Sequence, residues 1–361
     1  MITKNKIRQR TFVVFLYVLF ISVALVASII LVSVTGGDWS AVLPALMDGS
    51  FSKPGRWGQT LSEAAPLLIV ALGAIIATRV NLVNIGQEGQ LLVGAATAAM
   101  VATRGSGPIV LIFAIIIGCL GGAIWSSIAG LLKYWRKVPV VVSTLLMVFI
   151  ASQLTGFLLT KKFLLLDPSP DRPNKTQTSG QLTQSTRLPY IHIFGNDVSI
   201  AVPIAIVLAV VSMIILNRTL WGFKLDMVGM NARVAHRFGV SEQNTGLIAL
   251  AIGGALAGLA GSLMFTAGTA NYRYTPGFAN NVGWEGLLVA LVSRNQPLAA
   301  VVVALVFAGL RTGAGFLAST GVQREIVDVV RALLVVALLM PPAYIFFRAN
   351  LLKHGKGKIS K

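Results

Sequence analysis

The chain has little of what soluble enzymes and secreted domains depend on. Charged residues make up only 12% of its 361 residues, and it contains one cysteine and three histidines. A single cysteine excludes a disulfide framework and a thiolate metal site. The histidines, His192, His236 and His354, lie in separate polar segments without metal-ligand spacing or a nucleophile–base pair. The sequence therefore predicts no metal site and no catalytic residue, which disfavours a membrane enzyme.

A phosphate-binding loop is also missing. No segment reads G-x-x-x-x-G-K-[ST], the pattern in which backbone amides and a lysine hold nucleotide phosphates. The chain is therefore expected to bind no ATP in that manner, and no other cofactor is predicted. Any work it does must draw energy from another subunit or from an ion gradient.

Apolar residues are abundant. They make up 55% of the chain, and the mean hydropathy is +0.78, which is typical of a polytopic membrane protein. The sequence predicts an all-α fold, a single transmembrane domain over residues 1–361. About ten transmembrane segments are expected, at 11–35, 61–78, 90–103, 108–132, 139–160, 198–216, 245–266, 279–293, 297–315 and 325–347. Two of these, 90–103 and 279–293, are too short for an ordinary crossing, which indicates helices whose backbone is covered by protein or water.

Basic residues predict the orientation. The net charge of +18 comes from clusters before the first predicted segment and after the fourth, sixth and last. With ten segments and both termini in the cytoplasm, every cluster lies on the cytoplasmic side. Residues 1–10, 217–244 and 348–361 are then cytoplasmic, and the polar loop 161–197 is extracellular. The charge is thus explained by the membrane and its lipids, and nucleic acid is not an expected partner.

A repeated hexapeptide is the most informative pattern. Residues 84–89 read NIGQEG and residues 281–286 read NVGWEG, and each runs into an apolar stretch. A charge inside an apolar segment costs roughly 2.5–3.5 kcal/mol and usually faces a cavity or a partner. Two related halves with short or broken helices near the centre are therefore expected, with a path for a polar solute between them. We expect six residues to border this translocation pathway: Asn84, Gln87, Glu88, Asn281, Trp284 and Glu285.

These side chains have two possible roles. Glu88, Glu285 and the asparagines could exchange hydrogen bonds with hydroxyls or base edges of a solute, and Trp284 could stack on a base. Alternatively, each glutamate caps a half-helix N-terminus or accepts bonds from loop N–H groups, and Trp284 packs. The sequence favours the structural roles but leaves both open.

Small residues recur at helical spacing in two predicted segments. One face carries Gly118, Gly122, Ser126 and Gly130, and another carries Gly254, Ala257, Gly258 and Gly261. Such faces let helices approach closely in lipid. We expect them to pack helices and not to bind solute.

The polar segment 217–244 contains a short predicted helix. Val228, Ala232 and Ala235 follow a helical spacing, and Gly239 can end the helix. An exposed amphipathic helix of this kind can dock a cytosolic partner. Its basic residues can equally hold it against anionic lipid headgroups.

Three stretches, NLVNIGQEGQLLVGAATAA, WGFKLDMVGMNARVAHRFGVS and GWEGLLVALVSRNQPLAAVVVALVFAGLRTG, together resemble the permease subunits of bacterial ABC importers for simple sugars and nucleosides. The nucleoside branch is the most similar, and the resemblance runs from about Leu61 to Arg348. Members often have glycine where this chain has Asn81.

The resemblance implies partners and a location. Segment 217–244 would be the coupling segment that fits a cleft on the ATPase, which itself binds ATP and magnesium. A second permease (identical or paralogous), an extracellular solute-binding lipoprotein and the lipid of the bacterial cytoplasmic membrane are the other expected partners. The coupling residues implied are Gly229, Met230, Asn231, Ala235, Arg237 and Gly239. The competing hypothesis is a proton-coupled secondary transporter in which Glu88 or Glu285 carries the proton.

Overall fold

The computed structural model describes residues 2–36, 38, 40, 42–167, 177–268, 271–320 and 322–357. Its α-helices, in chain order, are α1 (Ile2–Val34), α2 (Val42–Met47), α3 (Arg56–Arg79), α4 (Gln87–Ala102), α5 (Pro108–Arg136), α6 (Val140–Leu158), α7 (Ala201–Arg218), α8 (Leu220–Met230), α9 (Ala232–Arg237), α10 (Glu242–Thr266), α11 (Val282–Val292), α12 (Pro297–Leu317) and α13 (Arg324–Gly357). Two short strands, β1 (Tyr190–Ile193) and β2 (Asn196–Ser199), form one hairpin.

Eight helices in the described ranges are long and apolar enough to cross a membrane, and they coincide with eight of the ten predicted segments. The other two, predicted at 90–103 and 279–293, are α4 with 16 residues and α11 with 11. At 1.5 Å per residue they are about 24 and 17 Å long, less than the roughly 30 Å of a bilayer core. The multi-pass, all-helical class with short central helices is confirmed.

The helix ends differ from the predicted boundaries. Helix α1 begins at Ile2 and α13 continues to Gly357, so helix extends into both predicted tails, 1–10 and 348–361. Residues 358–361 of the predicted basic tail lie outside the described residues. Terminal basic residues do not stop a helix, since Lys and Arg have good helix propensity.

The chain divides into two compact units. One consists of Met1–Thr60 and Val306–Lys361. In it α1 packs along α13, and apolar side chains such as Val32, Leu317 and Val330 form its core. The other unit is Leu61–Leu305 and contains both copies of the repeated hexapeptide.

Helices α4, α5 and α10 form the tightly packed centre of the second unit. A Cβ added to Gly122 would lie 2.8 Å from the Cα of Gly258, and one added to Gly94 would lie 2.9 Å from the carbonyl oxygen of Gly118. The Ser126 hydroxyl donates to the carbonyl of Leu250 over 2.7 Å. The small residues thus let the backbones touch, as the sequence predicted.

The predicted extracellular loop 161–197 is more ordered than its composition suggests. Residues 190–199 form the β1–β2 hairpin, whose turn places Phe194 and Gly195 at positive φ, as a tight two-residue turn requires. The loop also bonds to the segment after α10, because the backbone N–H of Ser179 donates to the carbonyl of Tyr274 over 2.9 Å. Residues 168–176 lie outside the described residues.

The glycine contacts generate a stability prediction. Gly122→Ala should lower the free energy of unfolding, because the new methyl group meets the backbone of α10; overpacking of this kind costs about 1–3 kcal/mol. The measurement is the Tm of the purified protein in detergent. Gly156→Ala is the matched control, because Gly156 is also helical but has open space where a Cβ would go, and its Tm should be unchanged or raised. Equal Tm values for the two variants would contradict the packing assignment.

Candidate functional site

The first copy of the repeat forms an irregular entry into α4. Helix α3 ends at Arg79, and Asn81 takes a left-handed conformation with φ 57°. Asparagine tolerates this conformation better than most residues with a Cβ. The backbone then runs without regular structure until α4 begins at Gln87.

Asn84 holds this entry in place. It is 1% exposed, and its side-chain oxygen accepts from the backbone N–H of Gly86 over 2.9 Å. Its carboxamide also forms a reciprocal pair with that of Gln90, at 3.1 and 3.2 Å. Thr144 of α6 accepts from the N–H of Ile85. Asn84 is therefore occupied in shaping the start of α4.

The second copy is built differently. Asn281 precedes α11 with φ 66°, is exposed, and does not cap the helix with its side chain. The position that corresponds to Gln90 is Leu287 in this copy, so the amide partner that buries Asn84 is missing. Two identical asparagines thus serve different purposes because their neighbours differ.

The two copies meet through Glu88. Its Oε1 accepts from the backbone N–H of Asn281 over 2.9 Å, and its Oε2 accepts from that of Gly283 over 2.6 Å. A Cβ on Gly283 would collide with the backbone of Glu88. We call this contact, made by Glu88, Asn281 and Gly283, the α4–α11 junction.

The junction brings two helix N-termini together. Each carries unpaired N–H groups and a partial positive charge, so their contact is unfavourable without an anion. The Glu88 carboxylate, 8% exposed, lies in the first turn of α4 and binds the first N–H groups of α11. It therefore stabilises both helix ends at once.

Neighbouring helices show the depth of the junction. A Cβ on Gly89 would lie 3.0 Å from the Cα of Val148, near the middle of α6, and one on Gly286 would lie 3.2 Å from the carbonyl oxygen of Leu67, near the middle of α3. Both short helices therefore begin at mid-height of the long ones. Neither can cross a bilayer alone, and their N-termini meet at the centre of this unit.

Gln87 stands out because its amide is buried without a partner. The residue is 1% exposed, and neither Nε2 nor Oε1 has a hydrogen-bonding partner among the described residues. An unpaired buried polar group costs about 1–3 kcal/mol, so such groups bind water or a ligand in folded proteins. A polar species beside the N-terminus of α4 would satisfy this amide.

The six predicted pathway residues thus separate by environment. Asn84 and Glu88 bind other parts of the protein, and Glu285 is 6% exposed. Trp284 is half-buried and Asn281 is exposed. The two backbone hydrogen bonds that Glu88 accepts come from the N-terminus of the helix in the other repeat and not from the helix beside it.

Segment 217–244 forms two helices and not one. The side chain of Asn231 caps α9 by accepting from the N–H groups of Arg233 and Val234, and this cap separates α9 from α8. Gly239, with φ 78°, follows the end of α9. The predicted apolar face is buried, with Val228 5% and Ala235 0% exposed.

The six coupling residues that the resemblance implies also differ in their exposure. Gly229 packs against the backbone carbonyl of Arg79, where a Cβ would collide, and Ala235 is fully buried. Gly229 and Ala235 therefore pack α8 and α9 against the rest of their unit. Met230 is 87% exposed, and Asn231, Arg237 and Gly239 are exposed as well.

An apolar and basic surface remains open on this segment. Phe238 is 74% and Val234 is 45% exposed, beside exposed Arg233. We define the docking surface as Met230, Arg233, Val234, Arg237 and Phe238. Exposed aliphatic and aromatic groups mixed with arginine are typical of protein interfaces.

These features define the class of protein. A multi-pass helical membrane protein in which two short helices meet at their N-termini has the architecture of a solute transporter. Comparison with known proteins agrees. Residues 58–339 match the family described as the permease component of the branched-chain amino acid transport system.

Three relatives illustrate the match. The guanosine ABC transporter permease protein NupP of Bacillus subtilis (strain 168) is 31% identical over 93% of this chain and 95% of its own length. The nucleoside ABC transporter permease protein NupB of Lactococcus lactis subsp. cremoris (strain MG1363) is 29% identical, over 77% of each chain. The glucose ABC transporter permease protein TsgB13 of Haloferax volcanii is 27% identical over 81% of this chain and 78% of its own. No solved structure matches.

The chain therefore belongs to this family of ABC transporter permease components. It is a multi-pass membrane protein, and permease subunits of this family are not themselves enzymes.

The junction generates a second prediction. Glu88→Gln should destabilise the protein, because the new side-chain NH₂ would face a backbone N–H that donates to a carboxylate oxygen in the wild type. Loss of a buried hydrogen bond to a charged group costs about 1–3 kcal/mol. The Tm of the purified protein is the measurement. Glu242→Gln is the control, since Glu242 pairs with Lys133 at the surface over 3.7 Å and such pairs contribute little. A Tm for Glu88→Gln no lower than that of the control would argue against the capping role.

Proposed function

We propose that this chain is the membrane-spanning subunit of an ATP-driven importer that carries nucleosides. The observation that carries the proposal is the 31% identity with a guanosine permease along 93% of the chain. A simple sugar is the second candidate, because a glucose permease is related over 81% of the chain. A pathway would use the same kinds of hydrogen-bonding groups for the hydroxyls of a ribose and for those of a simple sugar.

The solute path is proposed to pass beside the α4–α11 junction. Gln87 offers an amide donor and acceptor without a protein partner among the described residues, and Asn281 and Trp284 are accessible there. Glu88 and Asn84 fix the backbone around them, and Glu285 lies in the first turn of α11. A few weak polar contacts suit a path that must also release its solute.

The energy is proposed to come from a cytosolic ATPase bound at the docking surface. That subunit would hold ATP and magnesium, and this chain would need no cofactor. A second permease, identical or paralogous, would complete the path, and a lipoprotein would deliver solute to the 161–197 loop. Both termini and segment 217–244 then face the cytoplasm of a bacterium, as the basic clusters favour.

The junction argues against the proton-coupled alternative. A proton on Glu88 would remove an acceptor from Asn281 or Gly283, whose N–H groups it now satisfies. Both oxygens of this carboxylate are already engaged in joining the two helices, which favours a fixed structural role over proton transfer.

The docking surface generates a third prediction. Phe238→Glu should prevent copurification of the ATPase and abolish ATP-driven uptake, because it places a charge in an apolar contact. Phe163→Glu is the matched control, with 73% exposure against 74% but on the predicted extracellular side, and it should leave ATPase copurification intact. Normal copurification with Phe238→Glu would exclude this surface as the docking site. Gly229 is a poorer choice, since a bulky residue there would unseat α8 itself.

The substrate and the energy source can be tested together. Cells that express this chain with its ATPase, second permease and binding protein should take up radiolabelled guanosine, with competition by other nucleosides and not by glucose. Depletion of ATP should stop uptake, whereas collapse of the proton gradient at constant ATP should not. Competition by glucose alone would favour the sugar, and loss of uptake with the gradient would overturn ATP coupling.

A further inference from the structure

An ion pair joins the docking segment to the membrane-embedded part of its unit. The Arg79 Nη1 donates to both carboxylate oxygens of Asp226, over 3.0 and 3.1 Å, and its Nη2 donates to the side-chain oxygen of Asn217 over 3.3 Å. Arg79 is the last residue of α3, Asn217 lies at the end of α7, and Asp226 lies in the middle of α8. One guanidinium thus connects three elements.

Helix α8 and the end of α3 are also in direct backbone contact beside this ion pair. Gly229 of α8 packs against the carbonyl of Arg79, and a Cβ added to Gly229 would lie 3.4 Å from the Cα of Val80. The C-terminus of α3 carries partial negative charge, which favours a cation there. Arg79 is therefore held by its helix, by Asp226 and by packing.

Arg79 is followed at once by the entry into α4. Only residues 80–86 separate it from α4, and this stretch is fixed by hydrogen bonds from Leu82 to Ala77 and from Ile85 to Thr144. A fixed backbone of seven residues leads to Gln87 and Glu88. Only this short stretch of backbone therefore lies between the Arg79 contact with α8 and the α4–α11 junction.

We propose that the Arg79–Asp226 pair is a positioning contact for energy transduction, through which displacement of the docking surface is transmitted to the α4–α11 junction. The inference rests on the proposed function. The buried side chains of α8, Leu225 and Val228, are apolar, and apolar contacts are non-directional and permit sliding. The ion pair fixes the position of α8 along α3, because the guanidinium that binds Asp226 through Nη1 is also oriented by the bond of its Nη2 to Asn217.

The test is the amount of nucleoside taken up per ATP hydrolysed by the complete importer in liposomes. Asp226→Asn should lower this ratio about threefold to tenfold, the range expected for one contact in a coupling route. ATPase copurification and Tm should stay close to wild type, since the pair is partly exposed, at 22% and 35%, and such pairs contribute little stability. The exchanged pair Arg79→Asp with Asp226→Arg should recover part of the ratio.

Glu242→Gln is the matched control, because it removes another ion pair, that of Lys133 in α5 with Glu242 in α10, and its ratio should not change. An unchanged ratio for Asp226→Asn would overturn the proposal, as would a fall accompanied by loss of ATPase binding or of Tm, which would make the pair a structural anchor only. Lack of recovery in the exchanged pair would count against it as well. If the wild-type complex shows no ATP-driven uptake, it is the proposed function that fails.

Discussion

The carboxylate of Glu88 is the contact on which the centre of the Leu61–Leu305 unit depends. Two helix N-termini meet there, and each brings partial positive charge and N–H groups that its own helix leaves unpaired. Glu88 compensates for both effects, because it lies in the first turn of α4 and accepts hydrogen bonds from the backbone N–H groups of Asn281 and Gly283 at the N-terminus of α11. Removal of this charge would take away an anion that acts on both helix ends.

Close helix packing makes such a broken centre possible. Irregular backbone is tolerated at membrane depth only when protein or water covers it; in the stretch 80–86, Asn84 and Gly86 are buried, and a Cβ added to Gly86 would lie 3.0 Å from Thr144. Behind it, the glycine contacts of α4, α5 and α10 bring three backbones together. The small residues therefore do more than associate helices, since they close the lipid-free space in which the polar junction lies.

Much of this architecture could be predicted from local patterns, and the rest could not. Apolar length predicts the eight long helices, and the repeated hexapeptide predicts two short ones. The pattern does not show that the two asparagines differ in environment, because Asn84 has Gln90 as a partner where the second copy has Leu287. Cross-capping by Glu88 and the pairing of Arg79 with Asp226 join residues far apart in the sequence, and one sequence carries no signal for such contacts.

On the proposed function, a partner ATPase moves this permease, and this sets opposite demands on its parts. The docking surface has to be exposed, as Met230 and Phe238 are, whereas the helices behind it must not yield. Leu225 and Ala235 meet the second demand by burial, but burial alone does not fix position along a helix. A charged contact at the membrane boundary supplies that position at little cost, because Arg79 and Asp226 keep some access to water. A contact close to the broken centre leaves little backbone that could deform and absorb the motion. Here only the seven residues 80–86 separate Arg79 from α4.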